Sequence, residues 1–254
     1  MTVEQLKEPT FSTLLSLDYG KSSGSGFKLN YNNHTFLVTA KHVIYDEDNK
    51  LRCKKLVITS QKIRGIDIDS KILDVNMTKA KVSFCPMNDV AIILLEKDGV
   101  LEQYIELEQK GTFKTLFIES EIIKKEEDLN VSENVFLIGF PTSLIFQETK
   151  YFDISRPLLR KGIIAGINQA ENTFIIDCPS YYGNSGSPII QIEEDNKISL
   201  IGLISKYIPF MTTWGNNREN SITRTEFSNS GYSVCIPTEP IINLIENFIK
   251  NIAA

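Results

Sequence analysis

Histidine is nearly absent: the 254 residues hold only His34 and His42, so any imidazole-dependent chemistry has two candidates. The four cysteines, Cys53, Cys85, Cys178 and Cys235, lie too far apart for the short-gap pairs of zinc or redox motifs. Each sits in an apolar or strand-like stretch and reads as a small buried hydrophobe of a reducing compartment, so neither a metal nor another cofactor is expected. Basic residues are not in excess, 27 Lys and Arg standing against 32 Asp and Glu, and they are scattered, which removes the electrostatic footprint of a nucleic-acid partner. No apolar run approaches the roughly 18 residues of a membrane span. The start, Met1 to Pro9, mixes charges where a secretory signal carries an apolar core. Read as a whole product, the chain is expected in the cytoplasm and off the membrane.

What remains is an ordinary globular composition, 42% hydrophobic and 23% charged, too apolar for disorder. Short apolar and β-branched runs recur from end to end: 35–39, 55–59, 90–95, 134–138, 162–165, 173–177, 187–191 and 199–204. Polar turns such as Tyr31-Asn-Asn-His34 separate them, the pattern of an all-β sandwich or barrel. One helix is expected over 238–252, where Ile241, Ile245, Phe248 and Ile252 recur behind Thr238 and Pro240; its apolar face docks on a barrel or meets a partner. Two stretches read as loops, the charged 119–132 and the Thr-, Asn- and Ser-rich 207–230.

Three places carry chemistry. His42 follows the apolar run in Phe36-Leu-Val-Thr-Ala-Lys-His42, whereas His34 lies in a turn. Ser185 stands between glycines in Tyr182-Gly-Asn-Ser-Gly-Ser-Pro188, where a sharp turn leaves the N–H groups of Gly183 and Ser185 free to hold an anion. The same residues also suit a plain turn between strands. Asp89 opens the apolar Asp89-Val-Ala-Ile-Ile-Leu-Leu95, where it is either a strand cap or a shielded carboxylate. A nucleophilic serine needs an imidazole base, and the base needs a carboxylate to hold its tautomer.

Taken in order, these segments resemble the trypsin-like serine peptidases. Thr39-Ala-Lys-His42 matches the family's Thr-Ala-x-His, Asp89-Val-Ala-Ile-Ile matches Asp-Ile-Ala-Leu-Leu, and Gly183-Asn184-Ser185-Gly186 matches Gly-Asp/Asn-Ser-Gly. Gly24-Ser-Gly-Phe27, 133–141, Arg160–Ile164 and Gly231–Pro237 are similar to strands of HtrA-like members, so the resemblance spans about residues 20 to 250. It implies two six-stranded antiparallel β-barrels of the chymotrypsin-like kind, closed by a C-terminal helix, in one peptidase domain. The first barrel would cover about 12–115, the crossover 116–132 and the second barrel 133–237. It implies a triad of His42, Asp89 and Ser185 and an oxyanion hole at Gly183, Asn184 and Ser185. Substrate would be bound by Ser205, Lys206, Tyr207, Tyr181, Tyr182 and Tyr232, the strand at 205–207 pairing with the peptide backbone.

The departures shape the expected activity. No PDZ domain follows, unlike in HtrA proteins. Asn184 replaces the aspartate that pairs with a freed N-terminus in digestive members, so activation by clipping is not expected. Glutamyl endopeptidases share Gly-Asn-Ser-Gly-Ser-Pro but carry a histidine in the following strand, which here reads Gly202-Leu-Ile-Ser-Lys-Tyr207. Pro179 stands where trypsin-like members place the acid that receives Lys or Arg, so an uncharged P1 residue is expected. The resemblance implies a serine endopeptidase acting on a protein or peptide, narrow in range or triggered by the 207–230 loop or a regulatory partner, as in bacterial stress or defence settings. The rivals are a silent member of the fold that binds peptides and an esterase using the same triad.

Overall fold

The computed structural model describes residues 1–7, 9–18, 20–60, 71–107, 117–147, 153, 156–215 and 223–253. The N-terminal half carries β1 (Ser12–Leu17), β2 (Ser22–Tyr31), β3 (His34–Thr39), the one-turn helix α1 (Lys41–Ile44), β4 (Lys55–Ser60), β5 (Lys71–Asn76), β6 (Val82–Phe84), β7 (Ala91–Lys97), β8 (Val100–Leu101), β9 (Ile105–Leu107) and β10 (Ile118–Glu119). The C-terminal half carries β11 (Asn134–Gly139), β12 (Leu158–Asn168), β13 (Thr173–Asp177), β14 (Pro188–Ile192), β15 (Ile198–Gly215), β16 (Thr223–Pro237) and helix α2 (Thr238–Ala253).

β11 to β16 close into a six-stranded barrel in the order 11-12-13-16-15-14. β1 to β10 form one ten-stranded sheet that curls into the other barrel-like half, with the path 6-7-3-2-1-4-5-9. This is the two-barrel, chymotrypsin-like architecture expected. The first half counts ten strands in place of six because the short β6 and β9 extend its ends while β8 and β10 pair with β7 and β2 off the main path.

β3 and β7 are buried on both faces, since Phe36, Leu37 and Val38 and Ala91 to Leu94 are fully enclosed. One face of β3 fills the barrel interior, and Phe36 on the other meets Phe248 of α2 edge-on at 5.7 Å. Such two-sided burial is why these strands read as continuous apolar runs without alternation. α2 buries Ile241 and Ile245 completely, and Tyr31 of β2 donates to Glu246 at 2.6 Å. A helix that leaves the second barrel therefore packs on the first. Thr238 is the expected cap of α2, but among the described residues its hydroxyl accepts no helix N–H; it donates to Lys124 O at 2.7 Å and ties the crossover to the helix start.

Neither expected loop is simple. The 119–132 stretch takes in the last residue of β10 and two 3₁₀ turns, Ser120–Ile122 and Glu126–Asp128. The 207–230 stretch is a β-ribbon: Pro209 to Gly215 of β15 pair with Thr223 to Asn229 of β16, and its tip, 216–222, lies outside the described residues.

Candidate active site

α1 begins directly after β3, and this single turn places the His42 ring at the seam between the halves. Asp89 enters the same seam just ahead of β7. His42 Nδ1 lies 2.8 Å from Asp89 Oδ2, and the His42 main-chain N–H donates to Asp89 Oδ1 at 3.0 Å. With the carboxylate ionised, Nδ1 carries the proton, and Nε2 is left as the acceptor that a base requires. Arg52 donates to the His42 carbonyl at 2.6 Å and fixes the turn from behind. His34 is elsewhere, at the β2–β3 turn, with Nδ1 2.7 Å from Asn32 O.

Ser205 of β15 reaches the same carboxylate, donating from Oγ to Asp89 Oδ2 at 2.6 Å. Burial by itself raises the Asp89 pKa, but the His42 ring, the His42 charge, the Ser205 hydroxyl and the His42 N–H outweigh it and hold the carboxyl below its ordinary range. The sequence reading assigned Ser205 to the substrate wall. The residue is only 3% exposed and its hydroxyl is committed to Asp89, so that hydroxyl is not presented to a ligand.

The Ser185 turn belongs to the second barrel and is held against the first by Ser25. The Ser25 N–H donates to Ser185 O at 2.9 Å. Its hydroxyl donates to Gly183 O at 2.6 Å and accepts from the Phe140 N–H at 3.0 Å. Gly186 has φ +86°, and a Cβ there would lie 2.2 Å from Ser25 O and 2.3 Å from the Thr39 hydroxyl. Only glycine lets the Ser185 turn come this close to the end of β3, three residues before His42. Among the described residues no hydrogen bond joins the Ser185 hydroxyl to the His42 ring. In unliganded sites of this kind such bonds are often long and tighten when substrate enters.

Gly183 sits at φ +98°, and a Cβ there would lie 2.3 Å from Phe140 O and 2.5 Å from the Thr142 main-chain nitrogen and hydroxyl. The Tyr182 carbonyl accepts from the Ser143 N–H at 3.2 Å, so the Gly183 N–H of the same trans peptide points the opposite way. Among the described residues nothing engages the N–H of Gly183 or of Ser185. Asn184 is a correction: its N–H donates to Tyr181 O at 2.9 Å to close the turn, so it is not an oxyanion donor. Its buried amide instead accepts from the Tyr181 N–H at 3.2 Å.

The remaining expected substrate residues divide. Tyr182 and Tyr207 meet edge-on at 6.0 Å, bridging the Ser185 turn and β15. Lys206 is exposed, and Tyr232 of β16 is 44% exposed opposite Asp177. Tyr181 lies under the Arg160 guanidinium, 4.6 Å from the ring centre, as part of the turn's support. Two residues escaped the sequence reading, Ser180 and Ser233, whose hydroxyls bond at 2.8 Å beneath the turn. No spacing marks them, because isolated serines in strands are common.

Two β-barrel halves thus meet at a seam on which His42 and Asp89 lie and to which the Ser185 turn is held. A family model for the trypsin-like peptidase domain matches residues 24–203, and the chain belongs to that family. The fold is similar to that of a serine endoprotease from Yersinia pestis, with a TM-score of 0.57 at 15% identity, covering 97% of this chain and 65% of that one. It is also similar to Deg5, with a TM-score of 0.52 at 18% identity, covering 95% of this chain and 90% of that one. The chain thus spans under two thirds of the Yersinia protein's length. No curated protein matches by sequence.

Proposed function

We propose that the protein is a serine endopeptidase in which Ser185 is the nucleophile, His42 the base and Asp89 the group that orients it. The observation that carries this reading is the paired hold on His42 by Asp89, at its ring and at its main chain, on the seam against which Ser25 clamps the Ser185 turn. Ser185 Oγ attacks the scissile carbonyl carbon while its proton passes to His42 Nε2. The carbonyl oxygen takes the negative charge and is met by the N–H groups of Gly183 and Ser185, where one such donor contributes roughly 3–4 kcal/mol. The C–N bond then breaks, the leaving amine takes the proton from His42, and an ester on Ser185 remains. Water, deprotonated by His42, attacks that ester, and the acid product and Ser185 hydroxyl are released.

An uncharged P1 residue fits this site, because the groups under the nucleophile turn are the Ser180 and Ser233 hydroxyls and the Tyr182–Tyr207 pair narrows the approach. A cytoplasmic setting, with activity restrained by a narrow substrate range or a partner, belongs to the same reading. It is supported by Cys53, Cys178 and Cys235, which are free thiols made weakly acidic by burial.

The test is active-site labelling of the purified protein with a fluorophosphonate. The wild type is expected to label, Ser185→Ala not at all, and His42→Ala much more slowly. A well-folded wild type that does not label would overturn the assignment and leave a peptide-binding module on this fold.

A further inference from the structure

The ribbon made by the outer parts of β15 and β16 has no structural role that the fold explains. β14 pairs with β15 only as far as Leu203, and beyond it Ile204 bonds to the nucleophile turn through Gly186 and Ser187. From Ser205 to Gly215, among the described residues, β15 has a partner on the β16 side alone. Its other edge is a row of open main-chain donors and acceptors, interrupted once by Pro209, and an open edge is a template for another strand. The row starts at the residue that bonds Asp89.

The side chains along this edge are apolar and exposed. Cross-strand register places Phe210, Thr212 and Trp214 on one face, opposite Ser228, Glu226 and Arg224, and Met211 with Phe227 on the other. Phe210, Met211, Trp214 and Phe227 are all about 60% exposed or more. Large apolar side chains held in water on both faces of a two-stranded ribbon mark an interaction surface.

We propose that this ribbon is a docking track for the substrate polypeptide, taking an extended apolar and aromatic segment on the N-terminal side of the scissile bond as an added strand. The occupant follows from continuity and direction. All neighbours in this barrel are antiparallel, and a chain laid antiparallel on the vacated edge brings its C-terminal end to Ser205 and Ser185 while its N-terminal part runs out along 207–214. That run is roughly 20 Å at about 3.3 Å per residue, room for six or seven residues beyond those at the nucleophile. Main-chain pairing supplies the hold, and alternate side chains of the incoming strand meet Phe210 and Trp214. The proposal rests on the peptidase reading and adds to it that recognition is set upstream of the cut.

Trp214 is the single tryptophan of the sequence, so its emission reports the track directly. Ser185→Ala protein is titrated with two synthetic peptides sharing four residues before the scissile bond, one preceded by eight alternating Val, Thr and Phe residues, the other by eight Gly and Ser residues. The first is expected to shift Trp214 emission to the blue and to bind about tenfold tighter, the worth of two net main-chain hydrogen bonds. N-methylation of alternate amides in the Val/Thr/Phe segment is expected to remove that gain. With active protein, the ratio of kcat/KM for the two peptides should fall by a similar factor in Phe210→Ser/Trp214→Ser. Equal affinities with no change in Trp214 emission would overturn the track. Emission that instead depends on protein concentration without peptide would overturn it in favour of pairing between two copies. Failure of the wild type to label with fluorophosphonate would remove the peptidase reading, while the emission titration would still decide the track.

Discussion

The main-chain N–H of Ser25 donates to the carbonyl of Ser185 across the seam between the two barrels. The Ser25 side chain also holds Gly183 O and the Phe140 N–H, and its own carbonyl accepts the Thr39 hydroxyl at 2.7 Å. One small residue of β2 thus grips the Ser185 turn at both Gly183 and Ser185, and also the strand that leads to His42. It touches neither reacting side chain.

Ser25→Ala keeps the main-chain bond and loses the hydroxyl's two. Because Gly183 O and Phe140 N are left without a partner in a buried place, stability should fall by about 1–3 kcal/mol, read as a Tm lower by several degrees. As a positioning residue Ser25 should affect kcat more than KM, by roughly tenfold to a hundredfold. Equal losses in a variant that merely lowers Tm elsewhere in β2 would refute the positioning role.

Gly186→Ala should abolish fluorophosphonate labelling in protein that still has its strands by circular dichroism. The new Cβ meets Ser25 O at 2.2 Å from a left-handed backbone, a strain of a few kcal/mol relieved by moving the turn away from the first barrel. Labelling at the wild-type rate would show that the close approach is not needed.

For Asp89, replacement by Asn removes the partner that fixes the His42 tautomer, and kcat should fall by about 10⁴ with KM little changed. The pH dependence has a definite sign. A carboxyl held below its ordinary value contributes stability that is present above the unfolded pKa, about pH 4, and is lost as pH falls through the lower folded value. Ser205→Ala removes one bond to the charged form, so its acid unfolding should begin at higher pH than the wild type's. An unchanged acid midpoint, followed by far-ultraviolet circular dichroism, would contradict the assignment of Ser205 to the carboxylate.

Profiling with a positional peptide library should show small, uncharged residues at P1. Tyr207→Ala opens one side of the aromatic bridge to Tyr182 and should admit larger P1 side chains, with a KM effect on those substrates. A wild-type preference for Lys or Arg would refute the neutral reading of the Ser180–Ser233 floor.

Much of this was legible in the chain. The segments around His42, Asp89 and Ser185 carry their own context, because an apolar strand next to a single polar residue fixes where that residue emerges. The ribbon was not legible: with no buried face it shows none of the period-two alternation that reveals strands, and its Thr, Asn and Ser residues read as a loop. Ser25 was visible only as part of a core strand, since its importance lies in contacts with residues more than a hundred positions away. Ser205 was assigned by position along its strand, whereas the direction of its side chain depends on where Asp89 sits, a relation between halves that no local pattern encodes.

Helix α2 grows out of the barrel that carries Ser185, yet Ile241 and Ile245 are sunk in, and Phe248 packs against, the core cluster dominated by the barrel that carries His42 and Asp89. It acts as a clasp. Prying it loose by trimming the chain back to Pro237, or by a bulky fusion that strains its last turn, would leave both barrels able to form while letting them drift apart. His42 and Ser185, which sit on opposite halves, would then depend for their spacing on the seam contacts of Ser25 and Ser205 described above.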